Sequence, residues 1–69
     1  MIVLFTDFGE IGSYAGQMRA VLARDAPGID LVDLQHDAPA FQAKPSAYLL
    51  ASLIGVFPTE TVFLCVVDP

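Results

Sequence analysis

The sequence predicts an α/β fold, in which a parallel β-sheet lies between two layers of helices. Three short runs of apolar and mostly branched residues have the composition of buried strands. Two helical segments separate these runs, so the expected order is strand, helix, strand, helix, strand. Each connection is long enough to join parallel strands, and right-handed crossovers are expected.

The three strands are expected at residues 2–5, 29–34 and 61–67. Polar or turn-forming residues bound each of them, as is usual for strands that enter loops. The third run is apolar throughout, which is typical of a central parallel strand that is buried on both faces.

The first helix is expected at residues 13–25. Its apolar residues recur at the i, i+4, i+7 and i+8 spacing of an amphipathic helix, and they are Tyr14, Met18, Val21 and Leu22. Ser13 is a candidate N-cap, whose hydroxyl would accept a hydrogen bond from a free backbone N–H. Pro27 and Gly28 then end the helix.

The second helix is expected to begin near Pro45 and to end at about Gly55. A proline is compatible with the first turn, where a backbone N–H has no helical partner. The helix is apolar around most of its circumference, so we expect it to be covered on more than one side.

The composition indicates part of a larger assembly. A chain of 69 residues forms one small domain at most. It is 55% hydrophobic and 16% charged, with a mean hydropathy of +0.62, which is too apolar for a disordered chain. We therefore expect something else to cover this apolar surface, and we interpret residues 1–69 as a fragment of a longer protein.

Charge and patterning exclude several classes of partner. Three basic and eight acidic side chains give a net charge of −5, which provides no basic stripe for nucleic acid. The N-terminus lacks the charge pattern of a signal peptide, and the apolar runs are too short to span a bilayer. We expect a cytoplasmic protein without nucleic-acid or membrane partners.

Cys65 stands alone in the sequence, inside the third apolar run. A single cysteine excludes an internal disulfide and a cysteine-rich metal site. We expect a buried core thiol.

Polar side chains follow each predicted strand, and the carboxyl ends of parallel strands form the usual ligand-binding edge of such sheets. Asp7 follows the first strand, His36 and Asp37 the second, and Asp68 the third. Any one of these aspartates taken alone more often caps a turn. His36 has the chemistry of a general base or a metal ligand, but a hydrogen-bonded turn residue is the more frequent outcome.

The loop after the first strand contains Gly9 and Gly12 but lacks the spacing of a phosphate-binding loop. Glu10 would also repel an anion. Asp7 is therefore left to accept hydrogen bonds from neutral hydroxyls, such as those of a ribose. Tyr14 and Phe41 are candidates to stack on a base, although such aromatic residues usually pack in cores or interfaces.

Four segments in order and in register resemble one family: TDFG at 6–9, YxGxMxxVL at 14–22, VDLxHDxP at 32–39 and FPxxTVxxxVVDP at 57–69. They are similar to the N-terminal part of the S-adenosylmethionine (SAM) hydroxide adenosyltransferases, which are relatives of the fluorinase and chlorinase. The resemblance implies a SAM hydrolase, in which water attacks C5′ of SAM to give adenosine and methionine without a metal or added cofactor.

The resemblance also implies roles for particular residues. Asp7 would hold the ribose hydroxyls, and Asp68 would orient the attacking water together with an arginine and a histidine beyond residue 69. The related halogenases carry a tyrosine where Asp68 stands, so the aspartate favours water over halide. Phe8, Tyr14 and Phe41 would contact the substrate, with Phe41 as an aromatic wall over the sugar.

Members of the family also have a second, β-rich domain that binds adenine, and they assemble as homotrimers with sites between subunits. Residues 1–69 alone are therefore expected to be inactive. Many relatives have an acidic residue and a proline where Gly12 and Ser13 stand here, which affects recognition of the methionine ammonium group.

Two alternatives belong to other classes. A metal-dependent phosphohydrolase similar to the survival-protein nucleotidases would also place a carboxylate after the first strand. In those proteins a second aspartate is adjacent, whereas Asp7 is followed by Phe8. A non-catalytic interaction module is the other alternative, favoured by the short chain and the apolar second helix.

Overall fold

The predicted α/β fold is confirmed by a computed structural model that describes residues 1–39 and 42–68. Within these residues the strands are β1 (Ile2–Thr6), β2 (Leu31–Gln35) and β3 (Val62–Val66), and the helices are α1 (Tyr14–Asp25) and α2 (Ala43–Leu53). A 3₁₀ turn at Ile54–Val56 follows α2. The strands are all parallel and lie in the order β2-β1-β3. The handedness of the crossovers stays a prediction.

Strand β1 occupies the centre of the sheet and forms most of the core. Val3 and Leu4 are fully buried, and Phe5 is 1% exposed. The prediction that the third strand is central is wrong for this sheet, because β1 pairs with both of the other strands and leaves β3 at an edge. Val62 is accordingly 58% exposed. Cys65 is exposed for the same reason, so the predicted buried thiol is also wrong.

The two helices lie on opposite faces of the sheet, which gives the predicted three layers. Leu4 pairs with Asp33, and the next residue, Phe5, pairs with Cys65. Consecutive residues of a strand point to opposite faces. Asp33 binds Arg19 of α1, whereas Phe5 and Cys65 line a cavity beneath α2.

Helix α1 begins where the sequence predicts, but Ser13 does not cap it through its side chain. The backbone of Ser13 is already near-helical, with φ −110° and ψ −1°, rather than extended as in most N-caps. Its hydroxyl instead accepts a hydrogen bond from Gln17 Nε2 at 2.9 Å. The predicted side-chain cap is therefore wrong.

The apolar stripe of α1 is only partly covered. Met18 and Leu22 are half-buried, whereas Tyr14 is 70% exposed and Val21 is 47% exposed. The amphipathic pattern predicts which side of the helix approaches the sheet, but the described residues cover less of that side than the pattern spans.

Helix α2 begins at Ala43, two residues before the predicted start, so Pro45 is its third residue. The first turn tolerates proline because its N–H groups have no helical acceptors. Ser46 is the buried residue of this helix, and Tyr48 is 69% exposed. The described residues thus cover α2 on one side, and the predicted coverage on more than one side is not found among them.

Candidate functional site

Asp7 and Asp68 meet at the carboxyl ends of β1 and β3. The backbone N–H of Asp68 donates a hydrogen bond to Asp7 Oδ2 at 3.0 Å. The N–H of Asp7 donates to the carbonyl of Val66 at 3.1 Å, which extends the pairing of the two strands by one residue. Asp7 is half-buried and Asp68 is exposed. A carboxylate offers about four acceptor positions, so this contact leaves most of those on Asp7 available to a ligand.

Two aromatic side chains contact each other after Asp7 in the chain. Phe8 follows Asp7 in the chain and is half-buried, while Tyr14 begins α1 and is exposed. Their ring centroids lie 6.0 Å apart with an interplanar angle of 53°. The arrangement supports Phe8 on one side and leaves Tyr14 open to a ligand. Phe41, the other predicted aromatic residue, lies outside the described residues.

Two glycines shape the loop between β1 and α1. Gly9 has φ +93° and Gly12 has φ +105°, values that residues with a Cβ rarely adopt. The N–H of Gly9 donates to the carbonyl of His36 at 2.6 Å, which ties the loop to the end of β2. The loop thus has a defined path beside the carboxylates.

His36 lies behind this loop and is 6% exposed. Its Nδ1 is 2.7 Å from Thr6 Oγ1, and its Nε2 is 2.8 Å from Asp33 Oδ1. Asp33 Oδ2 in turn accepts a hydrogen bond from Arg19 at 2.9 Å. The prediction that His36 is a hydrogen-bonded turn residue is confirmed.

One tautomer of His36 satisfies every group in this chain of hydrogen bonds. Asp33 accepts at Nε2, so that nitrogen carries the proton. Nδ1 then accepts from the hydroxyl of Thr6, whose oxygen accepts from the N–H of Phe8 at 3.2 Å. The network therefore runs from α1 through β2 and β1 to the residue that follows Asp7.

The electrostatics of the network lower the pKa of Asp33. The hydrogen bond from His36 is the largest cause, and Arg19 adds to it, although partial burial opposes both. Sequence reasoning missed this residue. The signal for it was a charged side chain in the middle of an apolar strand, three residues before His36.

The residues that follow β2 contribute less to the candidate site than predicted. Asp37 is exposed, and the strand order places β2 and β3 on opposite sides of β1. Within residues 1–39 and 42–68, no group of three or more His, Cys, Asp and Glu side chains is arranged to hold a metal ion. The phosphohydrolase alternative has no ligand set in this part of the chain.

An apolar cavity of about 140 Å³ opens between α2 and the sheet. It is lined by Phe5, Ala43, Ser46, Ala47, Leu50, Cys65 and Val67. Although Cys65 is an exposed residue, these neighbours partly desolvate its thiol and raise its pKa.

Of the helices described, none has both the length and the apolar character to cross a membrane.

Residues 2–69 match the N-terminal domain of the SAM hydroxide adenosyltransferases. The chain is 38% identical over 68 residues to the (R)-S-adenosyl-L-methionine hydrolase of Thermus thermophilus, a match that covers 99% of the chain. It is 32% identical over 73 residues to the protein of the same name from Methanocaldococcus jannaschii, with the whole chain covered. In both cases the chain spans 27% of the length of the relative.

Proposed function

The chain belongs to the SAM hydroxide adenosyltransferase family, and from this premise we propose that the whole protein hydrolyses SAM to adenosine and methionine. Residues 1–69 form part of the α/β side of the substrate site. One observation in this chain carries the assignment: Asp68 N–H donates to Asp7 Oδ2 at 3.0 Å, which brings together the two residues to which the family resemblance gives a function.

The proposed reaction is a substitution at C5′ of the ribose. A water oxygen forms a bond to C5′ while the bond from C5′ to sulfur breaks. The electron pair of the broken bond stays on sulfur and converts the sulfonium into the neutral thioether of methionine. One proton of the water is released to solvent. Most of the catalytic effect then comes from aligning the water and the leaving group.

Asp7 holds the ribose in this proposal. Its Oδ2 is fixed by the backbone of Asp68, so its remaining lone pairs have a defined direction. Two adjacent ribose hydroxyls are donors that suit an acceptor-only carboxylate. Partial burial of Asp7 strengthens such hydrogen bonds, because the local dielectric is lower than in water.

Asp68 orients the attacking water. The backbone N–H of Asp68 donates to Asp7, the residue that holds the ribose. This contact keeps Asp68 next to the residue that binds the sugar. A carboxylate accepts a hydrogen bond from the water and stabilises the positive charge that the water oxygen gains as it attacks. It also favours a sulfonium substrate over an anionic one.

Phe8, Tyr14 and Phe41 complete the proposed substrate contacts as aromatic surfaces. The reaction needs no metal or added cofactor, and the protein acts as a cytoplasmic homotrimer that completes its sites with residues outside this chain. Neither nucleic acid nor a membrane takes part.

The test is adenosine release from SAM by the protein expressed from its full reading frame, followed by chromatography. We expect release that continues in EDTA and does not depend on chloride. Asp68→Asn should lower kcat by about 100-fold or more, as expected for loss of a group that handles the water. Asp25→Asn is the matched control, because it makes the same change at an exposed position at the end of α1.

Absence of adenosine from the wild-type protein would refute the proposed function. Loss of activity in EDTA would refute the metal-free reaction. An equal loss of activity in the Asp68 and Asp25 variants would show that the effect of Asp68 is not local.

A further inference from the structure

We propose that His36 is a positioning residue for the proposed substrate site, and that it holds the loop of residues 6–10 so that Asp7 and Phe8 face the substrate. The identity of the substrate in this inference rests on the proposed function. The contacts that support it are independent of any reaction.

His36 contacts the loop on both sides of Asp7. Its carbonyl accepts the hydrogen bond from Gly9 N–H at 2.6 Å, and its own N–H reaches Glu10 Oε1 at 3.4 Å. Its Nδ1 binds Thr6 Oγ1, which also accepts from Phe8 N–H. The imidazole and Phe8 rings are parallel to within 2°, with centroids 6.5 Å apart. Of residues 6–10, only Asp7 has no contact with His36 among those described.

The imidazole is fixed from behind as well. Asp33 Oδ1 accepts from Nε2 at 2.8 Å, and Arg19 of α1 holds the other oxygen of Asp33. Because the ring is 6% exposed, turning it would leave buried polar groups without partners. The ring therefore has one favourable orientation, and the loop takes its position from that orientation.

Asp7 is consequently held from two directions. The loop behind it is set by His36, and its Oδ2 is set by the N–H of Asp68. Loss of the bond between Nδ1 and Thr6 releases the first support and leaves the second. Binding of the ribose should then weaken, while the position of Asp68 beside the bound substrate is retained.

Two variants separate the two ends of the ring. The amide oxygen of His36→Asn lies near the position of Nδ1 and can accept from Thr6, but this side chain does not reach Asp33. The amide nitrogen of His36→Gln lies near the position of Nε2 and can donate to Asp33, but it leaves the Thr6 hydroxyl unpaired. Each variant loses one hydrogen bond of the ring. The bond to Thr6 is buried, whereas Asp33 is 42% exposed, so we expect the larger loss of stability in His36→Gln.

The kinetic test compares the change in KM with the change in kcat for each variant. We expect His36→Gln to raise KM for SAM by about tenfold with kcat within about threefold of wild type, the size expected for one hydrogen bond. His36→Asn should keep KM within about threefold of wild type. Equal increases of KM in both variants, or losses confined to kcat, would overturn the proposal, because a purely structural role lowers the amount of folded enzyme and leaves KM unchanged.

Amide hydrogen exchange of residues 6–10 gives a readout that does not need activity. We expect faster exchange at Phe8 and Gly9 in His36→Gln than in His36→Asn. Equal exchange in the two variants would refute the role of His36 in holding the loop. An inactive wild-type protein would instead refute the proposed function, and the exchange result would still decide whether His36 holds the loop.

Discussion

The hydroxyl of Thr6 is the link that joins the central strand to the buried histidine, and its removal has a calculable effect. Thr6 is fully buried. Its Oγ1 donates to His36 Nδ1 at 2.7 Å and accepts from Phe8 N–H at 3.2 Å. Thr6→Val keeps the branched shape of the side chain and removes both hydrogen bonds, whereas Thr6→Ser keeps the hydroxyl and removes a methyl group.

The two variants should differ in stability because they lose different interactions. The valine leaves an imidazole nitrogen and a backbone N–H without their partner, and each such group costs about 1–3 kcal/mol when it is buried. Phe8 is only half-buried, so water can hydrogen-bond to its N–H and lower the cost of losing that partner. We expect Thr6→Val to lower the free energy of unfolding by about 2–4 kcal/mol. Thr6→Ser should lower it by about 1 kcal/mol, the value for one buried methyl group.

The assay is urea unfolding at pH 7, followed by circular dichroism on the protein from its full reading frame. Thr59→Val serves as the control, since Thr59 is exposed and its replacement should change the free energy by no more than about 0.5 kcal/mol. The reasoning fails if Thr6→Val is as stable as Thr6→Ser, because the hydroxyl would then contribute nothing beyond its shape.

Three further predictions concern Asp7, Asp33 and Gly9. Asp7→Asn should raise KM for SAM about tenfold, since the amide replaces an acceptor with a donor toward the ribose, and an unchanged KM in steady-state kinetics would contradict the ribose contact. The folded pKa of Asp33 lies below its unfolded value, so its contribution to stability is present above about pH 4 and is lost as the pH falls through the folded pKa. Unfolding measured from pH 7 to pH 2 should therefore show a shallower acid loss for Asp33→Asn, and parallel curves would disprove the coupling. Gly9→Ala should lower the free energy of unfolding by about 1–2 kcal/mol in the same urea assay, because φ is +93° there, and an unchanged midpoint would argue against that backbone conformation.

The ends of the strands were predictable because the geometry of a parallel sheet brings them to one edge. Asp7 and Asp68 stand 61 positions apart in the chain, yet they lie within one hydrogen bond of each other. The sequence needed only three apolar runs and two crossovers to place them there. The family resemblance then pointed to the same two residues, although their roles stay predictions.

The order of the strands and the buried network were not predictable in the same way. An apolar run does not encode which neighbours it pairs with, so β3 was expected at the centre, where β1 lies. Thr6 at the end of a strand has no distinguishing pattern. Asp33 is visible in the sequence as a charge inside an apolar strand, but its contacts with His36 and Arg19 depend on the tertiary fold.

The central position of β1 has a consequence for how the chain is made. β1 is synthesised before β2 and β3, and Ile2 pairs with Leu31 and with Val62, about 30 and 60 residues later in the chain. Each pairing requires a long loop of chain to close before the two strands can touch. Such long-range pairing slows the folding of parallel sheets. The most buried strand therefore stays unpaired on one side until β3 has emerged. We expect nascent chains of this protein that are halted before β3 to be held by chaperones and to aggregate when released.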